Sequence, residues 1–424
     1  MHRIRFFFLQ ILFLLTPVVY AWLYAPGIQG NLSDVIRYVF PYLNWAWFES
    51  VKVTFFLFCI SIIAIIHFTY ILLQKKYISV SHSFFLVLWV FFLWSFFSFW
   101  INRDINPYFF SGNLEKHHGW FVYFWLIILF FIVQELSSLE QKRLLKMSLW
   151  WAVGVALYAI FQKNGLDPLA DSYQTRLDMN RAFSTLGNPN YLAWLFLMVL
   201  PLAHERINFR NSEHTLLAKL LLWLVWGFLI YWTGSYLAWI MFPLAMLFFL
   251  AKYVFPTKKS QYIFWLFVVL VLFLSFVYTW NSHGSDILEM QKMKWFIARW
   301  FLWKTWLYAL SSDIRHFFFW YGPDGFLAVS EYFRHPLLSV YEDPAYRIDR
   351  SHNVFIDFAL HFGSLMLFVV VLWILQKFRH LSHGKKISLI LFALYFSFNI
   401  PVLVHFMILL QIIAFKEKTQ FSHQ

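Results

Sequence analysis

The sequence predicts an all-α polytopic membrane protein of about twelve transmembrane helices, with eleven as the alternative count, and one large external loop. Three observations carry that expectation. Of 424 residues, 61% are hydrophobic and 23% aromatic, while 13% are charged. The apolar residues fall into runs of about twenty, the length that crosses ~30 Å of hydrocarbon as a helix. Basic residues gather in alternate loops instead of spreading along the chain.

The expected spans lie near residues 6–25, 52–73, 82–101, 119–134, 146–162, 190–204, 216–232, 236–251, 261–280 and 353–375. The first is expected to be a retained helix, because its apolar run is long and no A-x-A cleavage site follows it. The last apolar stretch, 387–415, carries Asn399-Ile400-Pro401 near its middle. It is too long for one straight span, and proline there suits a tight hairpin between two short helices. Cys59 is the single cysteine and lies in the second span, so no disulfide forms within the chain.

Orientation follows from Lys and Arg. With Met1 in the cytoplasm, the inner loops hold 19 of the 34 basic residues and 5 of the 21 acids. The net charge of +13 is therefore a topology signal and does not point to nucleic acid. Three parts are expected: helices and short loops over 1–280, a large loop over 281–352, and the last helices with a cytoplasmic tail over 353–424. No internal repeat is visible, which weighs against a transporter built from two repeated halves. Polar length accumulates on the outer side, in 102–118, 163–189 and 281–352, so a site in this protein must face outward.

Two outer stretches are suited to an anion and a proton transfer. One runs from Thr175-Arg176 through Arg181 to Asn188-Pro189-Asn190-Tyr191. Proline near a helix start wastes few amide donors, and the positive helix end with its exposed amides favours a phosphate. Arg176 and Arg181 add bidentate phosphate contacts. The second stretch is Arg347, Asp349, Arg350, His352 and Asn353. A histidine near neutral pKa beside Asp349 is suited to take a proton from a hydroxyl, worth roughly 10²- to 10⁴-fold in rate. Its plainer alternative is an interfacial histidine bonded at a helix start.

In the large loop, 288–310 reads as an aromatic helix along the membrane surface, with Lys292 and Arg299 on one face. These two either serve the site or snorkel. Tyr321-Gly322-Pro323-Asp324-Gly325 reads as a turn. Asp357, one turn inside the tenth span, must face protein or water. His117-His118 is not a metal site, since adjacent residues do not share a helix face and no second ligand set is near. A metal-dependent glycosyltransferase would want paired carboxylates on the first outer loop, where Asp34 and Glu49 stand fifteen apart. No metal or cofactor is expected.

The ordered set resembles the O-antigen ligase and Wzy-type polymerase superfamily, over roughly residues 110 to 415. It comprises Arg181, Ser184-Thr185, Gly187-Asn188-Pro189-Asn190-Tyr191-Leu192-Ala193, Thr233-Gly234-Ser235, Arg299 with Trp303, Gly322-Pro323, Asp349-Arg350-Ser351-His352-Asn353 and Gly363. The resemblance implies an inverting, metal-independent glycosyltransferase of the bacterial inner membrane with a periplasmic active face. Its donor would be an undecaprenyl-pyrophosphate-linked glycan, and its acceptor lipid A–core, a growing polymer or a protein, all met at the membrane lipid surface. By resemblance His352 is the base and Arg181 a pyrophosphate ligand, joined by Arg176, Arg299 and Arg350. Asn188, Asn190, Asp349 and Asn353 support the site.

In one place the chain departs from the pattern. The superfamily usually has Arg directly after the Thr-Gly-Ser-like turn, and here Tyr236 stands there. Either Arg176, Arg347 or Arg350 compensates, or the protein is weakened or repurposed. A transporter or non-catalytic binder of a lipid-linked glycan is the alternative of another class.

Overall fold

The computed structural model describes residues 2–16, 47–74, 82–104, 106–112, 119–166, 181–208, 212–254, 257, 294–312, 321–325, 330, 332–341, 348, 350–397, 399 and 401–414. Among them the regular structure is entirely helical. In chain order the helices are α1 (His2–Leu15), α2 (Trp47–Gln74), α3 (His82–Asn102), α4 (Trp120–Gln134), α5 (Ser138–Lys163) and α6 (Pro189–Arg206). They continue as α7 (Ser212–Trp232), α8 (Tyr236–Val254), α9 (Lys294–Ser311), α10 (Leu338–Tyr341), α11 (Val354–Phe362), α12 (Ser364–Phe378), α13 (His383–Phe396) and α14 (Leu403–Ala414).

Helix α6 is the centre of the bundle. Every residue from Leu192 to Leu200 is buried, so this helix is apolar on all sides and enclosed by neighbours. It packs against α13, α7, α8 and α5. Trp194 stacks on Tyr395 of α13 at 4.6 Å between ring centres. The peripheral helices show the opposite pattern. Phe58, Ile65 and Leu72 of α2, and Leu217, Leu221, Leu224 and Phe228 of α7, are large, apolar and exposed. Such contiguous apolar surface fits lipid and does not fit water. Three helices, Lys52–Gln74, α5 and α7, are long and apolar enough to cross a membrane, and shorter apolar helices accompany them. The protein is a helical membrane protein.

Most helix positions follow the apolar runs, and one region differs in an informative way. The single span expected over 353–375 is broken into α11 and α12 at Gly363. There φ is +86°, a value that L side chains rarely adopt, and the Gly363 amide closes α11 onto the Ala359 carbonyl at 2.7 Å. The stretch 387–415 forms two short helices, α13 and α14, with Pro401 in the connection between them, as its proline leads one to expect. The expected span 261–280, Lys292 and the end of the first span lie outside the described residues.

The ends of the bundle have different chemistry. At one end, Ser137 and Glu140 form a capping box at the start of α5. Ser382 donates to Glu205 at 2.6 Å, and Arg206 donates to the Lys142 carbonyl at 3.3 Å. Lys142, Arg143, Arg206, Arg379, Lys385 and Lys386 belong to this end. The loops 181–188 and 233–235, the turn 321–325 and the segment 350–353 occupy the other.

Candidate functional site

The site is built from two hydrogen-bonded groups. The first centres on Arg181. Its Nε donates to the Thr233 carbonyl at 2.8 Å and its Nη2 to Asn190 Oδ1 at 3.3 Å. The Thr233-Gly234-Ser235 turn wraps the arginine so closely that a Cβ at Gly234 would lie 2.9 Å from Arg181 Nε, and Gly234 also has φ +59°. This turn therefore requires glycine twice over. Asn188 caps α6 by accepting from the Asn190 amide at 2.8 Å, and Pro189 fills the first helical position. Tyr395 donates to the Asn190 carbonyl at 2.9 Å, which leaves Ser235 Oγ as the donor in its 3.2 Å bond to the Tyr395 oxygen.

Three helices hold the strand of chain leading into α6. Gln162 Oε1 of α5 accepts from the amides of Phe183 and Ser184 at 2.9 and 2.8 Å. Ser184 Oγ donates to the Val155 carbonyl at 2.8 Å, and the Ala182 amide donates to the Trp232 carbonyl at 3.0 Å. Lys52, at the start of α2 and 0% exposed, donates to the Thr185 carbonyl at 2.7 Å.

The second group surrounds His352. Asn353 caps α11, its Oδ1 accepting from Phe355 and Ile356 amides at 3.0 and 3.2 Å. Asp357 accepts from the Ser351 amide at 2.7 Å, which answers the expectation that this carboxylate must face protein. Between them His352 is half-buried with φ +57°. Arg350 is buried; it forms an ion pair with Asp324 and donates from Nη1 to His361 Nε2 at 2.8 Å. Because a guanidinium only donates, His361 Nε2 must accept, so its proton sits on Nδ1 and is donated to Tyr123 Oη at 2.9 Å. Asn106 Nδ2 secures the turn bearing Asp324 by donating to the carbonyls of Tyr321 and Pro323 at 2.8 and 2.9 Å.

Among the described residues, the non-glycine positions in the left-handed region are Ser184, Asp324 and His352. All three lie in the loops of these two groups. Backbone conformations of this kind persist where surrounding bonds over-determine them, and they concentrate at functional sites.

The two groups flank the α13–α14 connection. His405 accepts the Val402 amide on Nδ1 at 3.1 Å, so its Nε2 donates to the Tyr191 carbonyl at 3.1 Å. On the other side, Pro401 and Phe406 line a small cleft of about 20 Å3 with Tyr123, Arg350, Val354, Asp357 and Phe358. That cleft shares Tyr123, Val354, Phe358 and Phe406 with a wholly apolar one of about 200 Å3 running between α4, α11, α12 and α14.

The remaining expected site residues fall as follows. Arg299 is half-buried on α9, whose neighbouring Ala298 and Leu302 share a small core with Leu360 of α11. Arg350, expected as a pyrophosphate ligand, is buried with its guanidinium against Asp324 and His361. Tyr236, in the place of the superfamily's arginine, is 65% exposed and packs edge-on against Trp239. Arg176 and Asp349 lie outside the described residues. Nothing in the sequence patterns above marks Asp324, His361, Tyr123, Lys52 or Gln162 as site residues. The available signal was an ionisable or amide group within or beside an apolar run, as with Lys52 and His361.

An apolar helical bundle that carries arginines, capped helix starts and a histidine of left-handed backbone at one end is a membrane protein with a polar site at that end. Residues 220–374 match the family model Wzy_C, described as O-antigen ligase. The match spans less than half of the chain, from α7 through most of α12, and includes the 233–235 turn, Asp324 and the 350–353 segment. It supports the O-antigen ligase/Wzy-type superfamily, and with it a glycan transferase of the ligase or polymerase type in general. No curated protein matches the chain.

Proposed function

We propose that the protein transfers a glycan from undecaprenyl pyrophosphate to a hydroxyl of an acceptor, lipid A–core being the favoured one, by an inverting reaction without a metal. The reading rests above all on one observation: His352 is held in a left-handed conformation between a capped helix start and a buried ion pair. Arg181 at the start of α6 adds a fixed cation beside backbone amides suited to pyrophosphate.

In this mechanism the pyrophosphate rests against Arg181 and the α6 N-terminus, with Arg176 and Arg299 adding positive charge. His352, as neutral imidazole, takes the proton of the acceptor hydroxyl. The hydroxyl oxygen attacks the anomeric carbon on the face opposite the leaving group, and the anomeric C–O bond to pyrophosphate breaks. Configuration inverts, the glycan–acceptor bond forms, and undecaprenyl pyrophosphate departs with its charge held by the arginines. Asn188, Asn190 and Asn353 keep the helix starts in place, and Asp349 stands next to Arg350 in the loop. The apolar cleft beneath Tyr123 and Phe406 supports a lipid-linked donor, since a polyprenyl chain needs an apolar path below a polar headgroup site. The same assignment sets the polar end in the periplasm and the basic end and both termini in the cytoplasm, within the bacterial inner membrane.

The test is the glycan profile of the native bacterium after deletion of the gene, with rescue by wild type or by His352→Ala at equal membrane level. Rescue by wild type alone supports the base, and the band that returns identifies the acceptor as lipid A–core, polymer or protein. Full rescue by His352→Ala overturns the base and favours a carrier-binding or transport role.

A further inference from the structure

We propose that Asp324 is a positioning residue for the transfer reaction, holding the Arg350–Asn353 segment, and so His352, in its working geometry. The inference rests on the reading of His352 as the base, and extends it to a residue some thirty positions away on a different loop. Asp324 and Arg350 are both buried and form an ion pair. Removing two charges from water is costly, and such a pair persists only when its geometry is good and its remaining groups are bonded. Here they are. Arg350 is also held from the membrane side by His361, which is itself backed by Tyr123. The turn bearing Asp324 is fixed by Asn106, from the segment that follows α3.

The consequence for His352 follows from the chain. Arg350 is tied by its side chain, Ser351 by its amide to Asp357, and Asn353 by its cap on α11. His352 is thus gripped on both sides, and its φ of +57° is sustained by neighbours that cannot relax. Asp324 is the anchor that comes from a different loop. Without its charge, the buried guanidinium has lost its carboxylate counter-ion, and the loop gains a reason to turn Arg350 outward and carry His352 with it.

The experiment uses the purified full-length protein with undecaprenyl-pyrophosphate-linked oligosaccharide as donor. Rates per folded molecule and thermal unfolding are measured for wild type, His352→Ala, Asp324→Asn, Asp324→Glu and the double variant Asp324→Asn/Arg350→Met. The expected result for Asp324→Asn is a fall in kcat on the order of 10²-fold, as for a misplaced catalytic group, with donor KM within about twofold of wild type. Asp324→Glu recovers part of kcat. The double variant removes the uncompensated charge, so it melts near wild type but stays slow. That outcome separates positioning from stability, and stands even where Asp324→Asn alone folds poorly.

Full activity of Asp324→Asn overturns the proposal, and so does a double variant whose rate returns together with its stability. A rise in donor KM with kcat preserved also overturns it and makes Arg350 a donor ligand instead. If His352→Ala transfers as fast as wild type, the base assignment itself falls. If that variant is inactive while Asp324→Asn is fully active, the function stands and only the positioning role is lost.

Discussion

Lys52 and Thr185 are 133 positions apart in sequence, yet the wholly buried lysine donates its Nζ proton to the threonine carbonyl at 2.7 Å. This bond helps tie α2, near its start, to the loop that presents Arg181. A buried ammonium group needs hydrogen-bond partners, and the Thr185 carbonyl, in the 3-10 turn Ser184–Leu186, is one of them.

Lys52→Met leaves the Thr185 carbonyl without this donor. The expected cost is about 1–3 kcal/mol, read as a lower unfolding temperature in detergent, together with faster proteolysis near residue 185. Unchanged stability and unchanged proteolysis would mean that the bond contributes nothing to holding the loop.

Arg181→Lys keeps the charge and loses the fork. A lysine cannot bond Thr233 and Asn190 at once in the way that Nε and Nη2 do. Donor KM is expected to rise roughly tenfold, equivalent to about 1.4 kcal/mol, with little change in unfolding temperature. A variant with wild-type KM would remove Arg181 from the donor site.

Asn353→Ala removes the cap of α11. The loss expected for such a cap is about 1 kcal/mol, and Asn353→Asp, which accepts the same amides, recovers most of it. Thermal unfolding of the two variants decides the matter, since a structural cap predicts that order and no other.

His335, between α9 and α10, is drawn below its ordinary value of 6.5 by burial and then by the Lys304 charge. Its ring stacks on Tyr308 and its Nδ1 accepts the Leu337 amide at 3.2 Å, so the neutral form belongs to the fold. The unfolded chain takes up a proton more readily than the folded one. The stabilisation is therefore full above pH 6.5 and is lost as pH falls toward the lower folded-state value. Hydrogen exchange of residues 332–341 is expected to quicken between pH 7 and pH 5 in wild type, and to do so less in His335→Gln. Equal acceleration in both would exclude His335 as the cause.

Chelation is expected to leave transfer unchanged. Incubation with EDTA followed by assay in metal-free buffer checks this, and a loss restored by a divalent cation would require a metal in the mechanism.

The helices, their approximate ends and the hairpin at Pro401 were legible because they depend on local quantities: the length of an apolar run, a proline that cannot donate, an asparagine able to cap. Asn188-Pro189-Asn190 and Asn353 announced two helix starts that the fold uses as such. Gly363 was visible as a residue, but its effect was not. A break inside an apolar run depends on the backbone angle that packing of α11 and α12 imposes, and hydropathy carries no record of it.

The sequence by itself determined that this is a helical membrane protein, which end is basic, and that Arg181 and the Arg350–Asn353 segment are the places to look. Those conclusions need only composition and neighbours in the chain. Tertiary structure alone decided the pairings: Asp324 with Arg350, His361 with Tyr123, Lys52 with Thr185, Arg181 with Thr233. An aspartate in a Pro-Asp-Gly turn looks like ordinary turn chemistry until a guanidinium from another loop is buried against it. The physical reason is that a buried charge is tolerated through its partner, and the partner is chosen by folding across distances that no local pattern encodes.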